Sequence, residues 1–332
     1  MPVPQRMADP DRFAADTAPF RRELLAHCYR MVGSAQDAED LVQETYLRAW
    51  RGYPNFEGRA SVRSWLYRIA TNVCLTALRP ARVRVLPSGL SGPVDGLAGA
   101  TNHTAPHDVS WLEPFPDSWA APGPDDPADT VITRESLRLA LIASLQHLPA
   151  RQRAILLLRE VLDFSAAETA AILGTTTAAV KSGLQRARAR LRELEPAPTR
   201  LLDPDHPRAR ALLGAYIAAF EHSDVELLEQ VLRTDATLEA TPFPDWRAGR
   251  ENCLHLLRTQ VLHIPGAWRL TPTAANGQPA AVLYHRDANA FHAAGIVLLT
   301  ATPTGISRVC AFHDPDLVAA FDFPASPPAP TA

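Results

Sequence analysis

The chain has 332 residues, 46% of them hydrophobic, with a formal net charge of −3. That length is too great for one ordinary domain and suits two or three packed cores. The slightly acidic balance excludes a uniformly basic nucleic-acid coat, so any nucleic-acid affinity must be local.

Cys28, Cys74, Cys253 and Cys310 form no CxxC and no His/Cys cluster. They read as buried thiols in a reducing cytosol, not as disulfides or a zinc site. The opening MPVPQRMADP lacks the charged-then-apolar pattern of an export signal. No apolar run approaches membrane-spanning length. A cytoplasmic protein is expected, with no metal or cofactor.

Residues up to about Pro19 read as a loose leader. Phe20 to Arg79 reads as helical, with its acids and bases separated. Asp37, Glu39, Asp40 and Glu44 cluster in SAQDAEDLVQETYLRAW, and Arg48, Arg51, Arg59, Arg63, Arg68 and Arg79 dominate afterwards. Ser34 is the expected N-cap of the first helix, whose early acids suit the helix dipole. Leu41, Thr45 and Leu47 to Trp50 are expected on its inner face. Pro54 ends it, Asn55 to Ala60 form a loop, and Ser61 opens a second helix. Trp65, Leu66, Ile69, Val73 and Leu78 follow the core side of that helix, with Arg59, Arg63 and Arg68 outside.

From Pro80 to about Thr130, proline, glycine and serine crowd PSGLSGPVDGLAG and APGPDDPADT, the texture of a linker. Fifty such residues could span ~160 Å. The island Trp111-Leu112-Glu113-Pro114-Phe115-Pro116-Asp117 breaks that texture, and such aromatics in a tether usually dock.

Val131 to Glu195 is helical again. Pro149 fits the first turn of a helix. Ser165 with Glu168 makes a capping box, and Gly174 suits a left-handed C-cap. After the turn Thr175 to Thr177, residues Val180, Leu184, Ala187, Leu191 and Leu194 recur at helical spacing as a buried stripe. Lys181, Ser182, Gln185, Arg186, Arg188 and Arg192 lie away from it. This is a helix-turn-helix whose second helix presents cations and hydrogen-bonding groups outward, as a major-groove reader must. An ordinary helical hairpin with a solvated basic face is the alternative.

Pro196 to Pro207 reads as a second linker. Arg208 to Val231 is helical, with Leu212, Leu213, Tyr216, Ile217 and Phe220 inward. Ala236 to Ala240 reads as a strand, and Arg250 to Leu262 as a helix. Trp268 to Ala274, Ala280 to His285 and Ile296 to Ala301 alternate as strands, and Gly305 to Phe312 is a final one. Asn276-Gly277 is a hairpin turn signal. Helices followed by a strand meander imply an α+β domain with a curved sheet.

DAEDLVQETYLRAW with FEGRASVRSWLYRIATNVCLTALR resembles region 2 of bacterial sigma-70-type RNA polymerase sigma factors of the extracytoplasmic-function group. LPARQRAILLLREVLDFSAAETAAILGTTTAAVKSGLQRARARL resembles their region 4. PFPDWRAGRE, ANGQPAAVLY and FHDPDLVAAFDFP resemble a SnoaL-like domain of the NTF2 type. The implied architecture is multidomain: two all-α modules, then an α+β SnoaL/NTF2-like cone. The implied boundaries are 18–82 for region 2, 83–130 for the tether, 131–196 for region 4 and 204–325 for the SnoaL-like domain.

The resemblance implies a sigma factor that carries polymerase core to promoters and is modulated by its own C-terminal domain. Asp40, Gln43 and Glu44, with Asp37 and Glu39, would face the clamp coiled coil of the largest subunit; the flap is the second polymerase contact. A plain solvated acidic face is the alternative. Asn55, Arg59, Ser61, Arg63 and Arg68 would meet the −10 element, where a base leaves the stack and arginines hold the open strand. Thr177, Lys181, Ser182, Gln185, Arg186 and Arg188 would meet the −35 element. Relatives often carry arginine at the position of Gly183, which implies that this chain lacks one possible DNA contact there. The two DNA modules must sit well over one helical turn, about 34–36 Å, apart.

SnoaL-like folds include cyclases that need a pocket acid or base. Asp235, His285, Asp287, His313 and Asp314 are available, but structural roles are expected for them and no catalytic residue is assigned. Asp235, Trp246, Arg250, Asn276 and His313 are the candidate pocket residues for a small-molecule ligand. Two other readings stay open: a DNA-binding regulator that uses only the helix pair, and a SnoaL-type enzyme.

Overall fold

A computed structural model describes residues 9–79, 83–94, 109–120, 135–194, 200–287 and 290–327. Two compact units emerge. One combines Met1–Val83 with Trp119–Pro196, and the other combines Arg84–Ser118 with Ala197–Ala332.

The first unit is all-helical. Helix α1 spans Pro10–Thr17, capped by Asp9. It corrects the reading of a loose leader: Phe13 sits edge-on to Trp50 and Tyr53, each at 5.2 Å between centroids. Helix α2, Arg21–Val32, buries every side chain from Leu24 to Val32 and ends at left-handed Gly33. Helix α3, Ala35–Gly52, starts at Ser34, whose hydroxyl accepts from the Asp37 amide at 3.0 Å. Helix α4, Val62–Ala77, starts at Ser61 in the same way.

The inner face of α3 is Ala38, Val42, Thr45 and Ala49, with Leu47 52% exposed. This face is rotated from the expected one because small residues, not the largest apolar ones, let α3 approach α2 closely.

Helix α5 spans Leu139–Gln146. Helix α6, Ala150–Leu156, runs on as a π-turn over Leu157–Val161. Pro149 caps α6 from just outside it, one position earlier than the sequence suggests. Helices α7, Ala166–Leu173, and α8, Thr177–Leu194, form the expected pair. Both hydrogen bonds of the Ser165–Glu168 box are present, at 2.8 and 3.2 Å, and Gly174 is left-handed.

The two helical modules are tied by buried arginines whose donors end on carbonyls and a hydroxyl. Arg153, 4% exposed, donates to Met31 O and to Gln146 O, the latter at 3.0 Å. Arg30 donates to Ser136 Oγ at 2.7 Å. Burial lowers both guanidinium pKa values to about 10, which leaves them charged.

The second unit is α+β. Helices α9, Pro207–His222, and α10, Val225–Val231, precede strand β1, Leu232–Thr241, and the short β2, Trp246–Ala248. Helix α11, Arg250–Leu256, continues as a π-turn over Leu257–Val261. Strands β3, Trp268–Ala275, β4, Gln278–Asp287, β5, Ala290–Thr302, and β6, Gly305–Phe312, follow, then α12, Pro315–Ala320. The sheet order is β2-β1-β6-β5-β4-β3, antiparallel except for the parallel β1–β6 pair.

Asn276 and Gly277 have φ of 56° and 64°, the conformation of a two-residue type I′ hairpin. The β4–β5 register shifts beside Gly295, where an added Cβ would lie 1.8 Å from Phe312 O. Only glycine allows that close approach.

Strand β4 is buried without alternation from Gln278 to Tyr284. Its two faces are both covered, which replaces period-two patterning with a continuous apolar run. Helix α9 packs on one face, as part of the main core. The C-terminal segment contributes to the other, where Tyr284 donates to Pro324 O and the Ala293 amide to Ala325 O, and the segment 84–118 is held at the β3–β4 turn.

The described part of segment 84–118 is therefore not loose. Leu86, Leu112 and Phe115 are at most 2% exposed. Each such side chain contributes about 1.5–3 kcal/mol on burial. The Phe115 amide donates to Asn276 Oδ1 at 2.8 Å, Asn276 N returns a bond to Phe115 O, and Asp117 Oδ1 accepts from Gly277 N. Ser88 N donates to Glu239, and Arg308 bonds both Glu239, at 2.6 Å, and Ser88 Oγ.

Candidate functional site

Three surfaces of the helical unit carry the predicted binding residues. On α3, Asp40 and Gln43 are exposed, and Asp37, Glu39 and Glu44 are half-exposed. Glu39 pairs with Arg21, and Glu44 with Arg48 at 2.6 Å. Asp40, Gln43 and Leu47 follow one another at three- and four-residue steps, so they share one outward stripe. The sequence places Leu47 on the inner face, because an apolar residue at helical spacing reads as core; the structure leaves it exposed beside these acids.

The second surface surrounds the start of α4. Asn55, Arg59, Ser61 and Arg68 are exposed and line one cleft of about 460 Å³ with Phe56, Ser64 and Trp65. The opposite wall is α7: Glu168, Ala171 and Ile172. Arg63 is set apart from the other four. It forks onto Glu23 at 3.0 Å and lies 4.7 Å over the Phe164 ring, so the expectation that it stays outside is corrected. Tyr67 meets Phe164 edge-on at 5.2 Å. Arginine stacks on rings more readily than it stays free beside them.

The third surface is α8. Thr177, Lys181, Ser182, Gln185, Arg186 and Arg188 are all exposed on it. Arg186 donates to Ser182 Oγ at 2.6 Å, and Arg188 pairs with Glu160. Gly183 is buried, and an added Cβ would sit 2.6 Å from Ile155 Cδ1. It faces the core, so a side chain there would point at Ile155 and not at DNA. The expectation that glycine at 183 costs the chain a DNA contact is corrected.

Residues 18–83 match the Sigma-70 region 2 family, and residues 138–191 match Sigma-70, region 4. The chain is 47% identical to the ECF RNA polymerase sigma factor SigG of Mycobacterium tuberculosis over 98% of its own length and 86% of that protein. The chain belongs to the extracytoplasmic-function (ECF) RNA polymerase sigma factors. A second relative is the ECF sigma factor SigW of Bacillus subtilis, 28% identical over 57% of this chain and 91% of that protein. The crystal structure of the M. tuberculosis ECF sigma factor SigJ superposes with a TM-score of 0.59 at 21% identity, covering 96% of this chain and 100% of that one. That likeness extends the shared fold through the C-terminal unit.

As a sigma factor the protein binds polymerase core and promoter DNA and serves in transcription initiation. The C-terminal unit adds a cavity of about 590 Å³ against one face of the sheet, walled by Phe220, Phe243, Leu257 and Trp268 among others. Of the five predicted pocket residues, His313 lines this cavity and four do not. Asp235 forms a two-pronged pair with Arg233, which holds its carboxyl below the usual range. Trp246 donates to Ser91 O at 2.8 Å, Arg250 to Glu229 O at 3.2 Å, and Asn276 holds Phe115. Alternation along β2 explains the miss: its neighbour Arg247, not Trp246, turns inward. His285 packs edge-on against Trp268 at 4.7 Å.

All four cysteines are buried free thiols. Burial pushes the Cys253 thiol up to about 12, out of the nucleophilic range. No helix among the described residues is long and apolar enough to cross a membrane.

Proposed function

We propose that this sigma factor grips the polymerase clamp coiled coil through Asp40, Gln43, Glu44 and Leu47, and meets the flap through its second helical module. Thr177, Lys181, Ser182, Gln185, Arg186 and Arg188 read the −35 element. Asn55, Arg59, Ser61 and Arg68 receive the −10 element, and Arg63 serves as a brace. The work is done in the cytoplasm, where polymerase is, and no catalysis by the C-terminal unit is assigned. The region boundaries stay at 18–82 and 131–196, with the C-terminal unit extended to include the described part of segment 84–118.

One observation carries the regulatory half of the reading: α7 forms one wall of the cleft that Asn55, Arg59, Ser61 and Arg68 line. A flipped base needs that cleft, and a −35 contact needs the helix pair well over one helical turn away. The described arrangement is thus a resting state that must open. The C-terminal unit controls opening by shortening the tether, which it holds at Ser88 and at Phe115.

Run-off transcription with purified core polymerase on the gene's own upstream region tests both halves. Cutting the chain at residue 203 would uncover Leu86, Leu112 and Phe115, so Asn276→Ala is the sharper variant. It should change promoter-dependent output relative to the intact chain, and identical output would sink the tether mechanism. Asp40→Arg with Glu44→Arg should abolish co-purification with core. Retained binding would remove α3 from the polymerase interface.

A further inference from the structure

A buried cation, Arg247, lines the cavity of the C-terminal unit. Arg247 is 3% exposed and lines the cavity, and its Nη1 has no hydrogen-bond partner among the described residues. A buried guanidinium in that condition is costly, and the cost is relieved when an anion arrives. The fork of its donors matches a carboxylate or sulfonate. The rest of the wall is apolar and rich in rings: Phe220, Phe243 and Trp268. His313 stands on the same wall, 5.8 Å from the Phe243 ring and 6.5 Å from that of Trp268. Burial, and then His285, hold its pKa below the usual imidazole value, so it offers a neutral donor or acceptor and no second cation.

We propose that this cavity binds an organic acid with a flat, ring-bearing apolar body, whose anionic group is held by Arg247 and whose rings lie against Phe220, Phe243 and Trp268. The volume, about 590 Å³, suits a ligand of two to four rings. The assignment rests on reading the C-terminal unit as the regulatory part of the chain, and it specifies what that part senses. Strand β2 gives occupancy a route outward. Arg247 faces the cavity, while adjacent Trp246 grips Ser91 O through its indole and accepts from Val94 N at 2.9 Å through its carbonyl. Half-exposed Asp245 also borders the cavity, so preference for a neutral body is the outcome to test against.

The test is equilibrium binding to the full chain, with anilinonaphthalene sulfonate as the anionic probe and N-phenylnaphthylamine as its uncharged counterpart. One sulfonate should bind per chain, at least about tenfold more tightly than the amine. Arg247→Met should weaken the sulfonate at least about tenfold and leave the amine within about twofold, with Arg247→Lys between. Ala311→Trp, which fills the cavity, should abolish both. Equal affinities for the two probes on the intact chain would overturn the proposal, and so would sulfonate binding that survives Ala311→Trp. If Arg247→Met does not fold, the intact chain's preference and Arg247→Lys still decide the matter. Binding is read without transcription, so failure here is distinct from failure of the tether mechanism.

Discussion

Helix α8 and the strands β1, β2 and β6 handle charge in opposite ways. On α8, Lys181, Arg186 and Arg188 stand in solvent, with intrahelical or surface partners at most. On β1 and β6, Glu239 is 1% exposed and is met by Arg308, by the Cys310 thiol at 3.2 Å and by Ser88, while Arg247 on β2 is buried. Solvated cations suit a long polyanion, because each phosphate contact is worth little and many act together. A buried charge commits to one partner in one geometry. The difference suits the helical unit to nucleic acid and the C-terminal unit to a single discrete partner.

Four measurements would break or sharpen that contrast. The largest effect should come from Glu239→Ala, which takes the carboxylate away from Arg308, the Cys310 thiol and the Ser88 amide; it should lower the stability of the C-terminal unit by about 3–5 kcal/mol in denaturant melts. A loss under about 1 kcal/mol would mean that the pair is no more than a surface bridge.

The second concerns a buried group of the helical unit. His27 is fully buried, shares a hydrogen bond of 3.1 Å with Thr71 and faces Tyr67, Arg30 and Arg63. Burial, and then Arg30 and Arg63, lower its pKa to about 3. Below pH 6.5 the unfolded chain takes up a proton that the folded one refuses. Stability from this group is complete above that pH and falls by about 1.4 kcal/mol per pH unit down to about pH 3. His27→Gln should flatten that slope in melts between pH 6.5 and 4.5; an unchanged slope would assign the acid sensitivity elsewhere.

Third, Lys181→Ala with Arg186→Ala should weaken −35 binding about tenfold and lower the salt slope by about two. Probe binding in the C-terminal cavity should not move. Last, Arg188→Ala breaks an exposed pair with Glu160 and should change stability by less than about 1 kcal/mol. A larger loss would show that Arg188 braces α8 and is not a free DNA contact.

Local chemistry was legible without coordinates. The Ser165–Glu168 box, left-handed Gly174, the Ser34 and Ser61 caps and the Asn276-Gly277 turn all follow from groups within a few residues of one another. So did the outward face of α8, because a helix fixes its own periodicity. Resemblance extended this to the modules and their order.

What the chain order concealed was every choice made by a distant neighbour. Leu47 faces out because Ala38, Val42 and Ala49 serve the α2 contact better. Arg63 turns to Phe164, a hundred residues on, and Gly183 turns inward to Ile155. Trp246 and Arg247 divide between tether and cavity according to which face of a three-residue strand each meets. Capping, turn and period are set by covalent proximity, so the sequence by itself determines them. Which side chain is buried, which is braced and which is left for a ligand depends on what packs against it, and only the tertiary structure decides that.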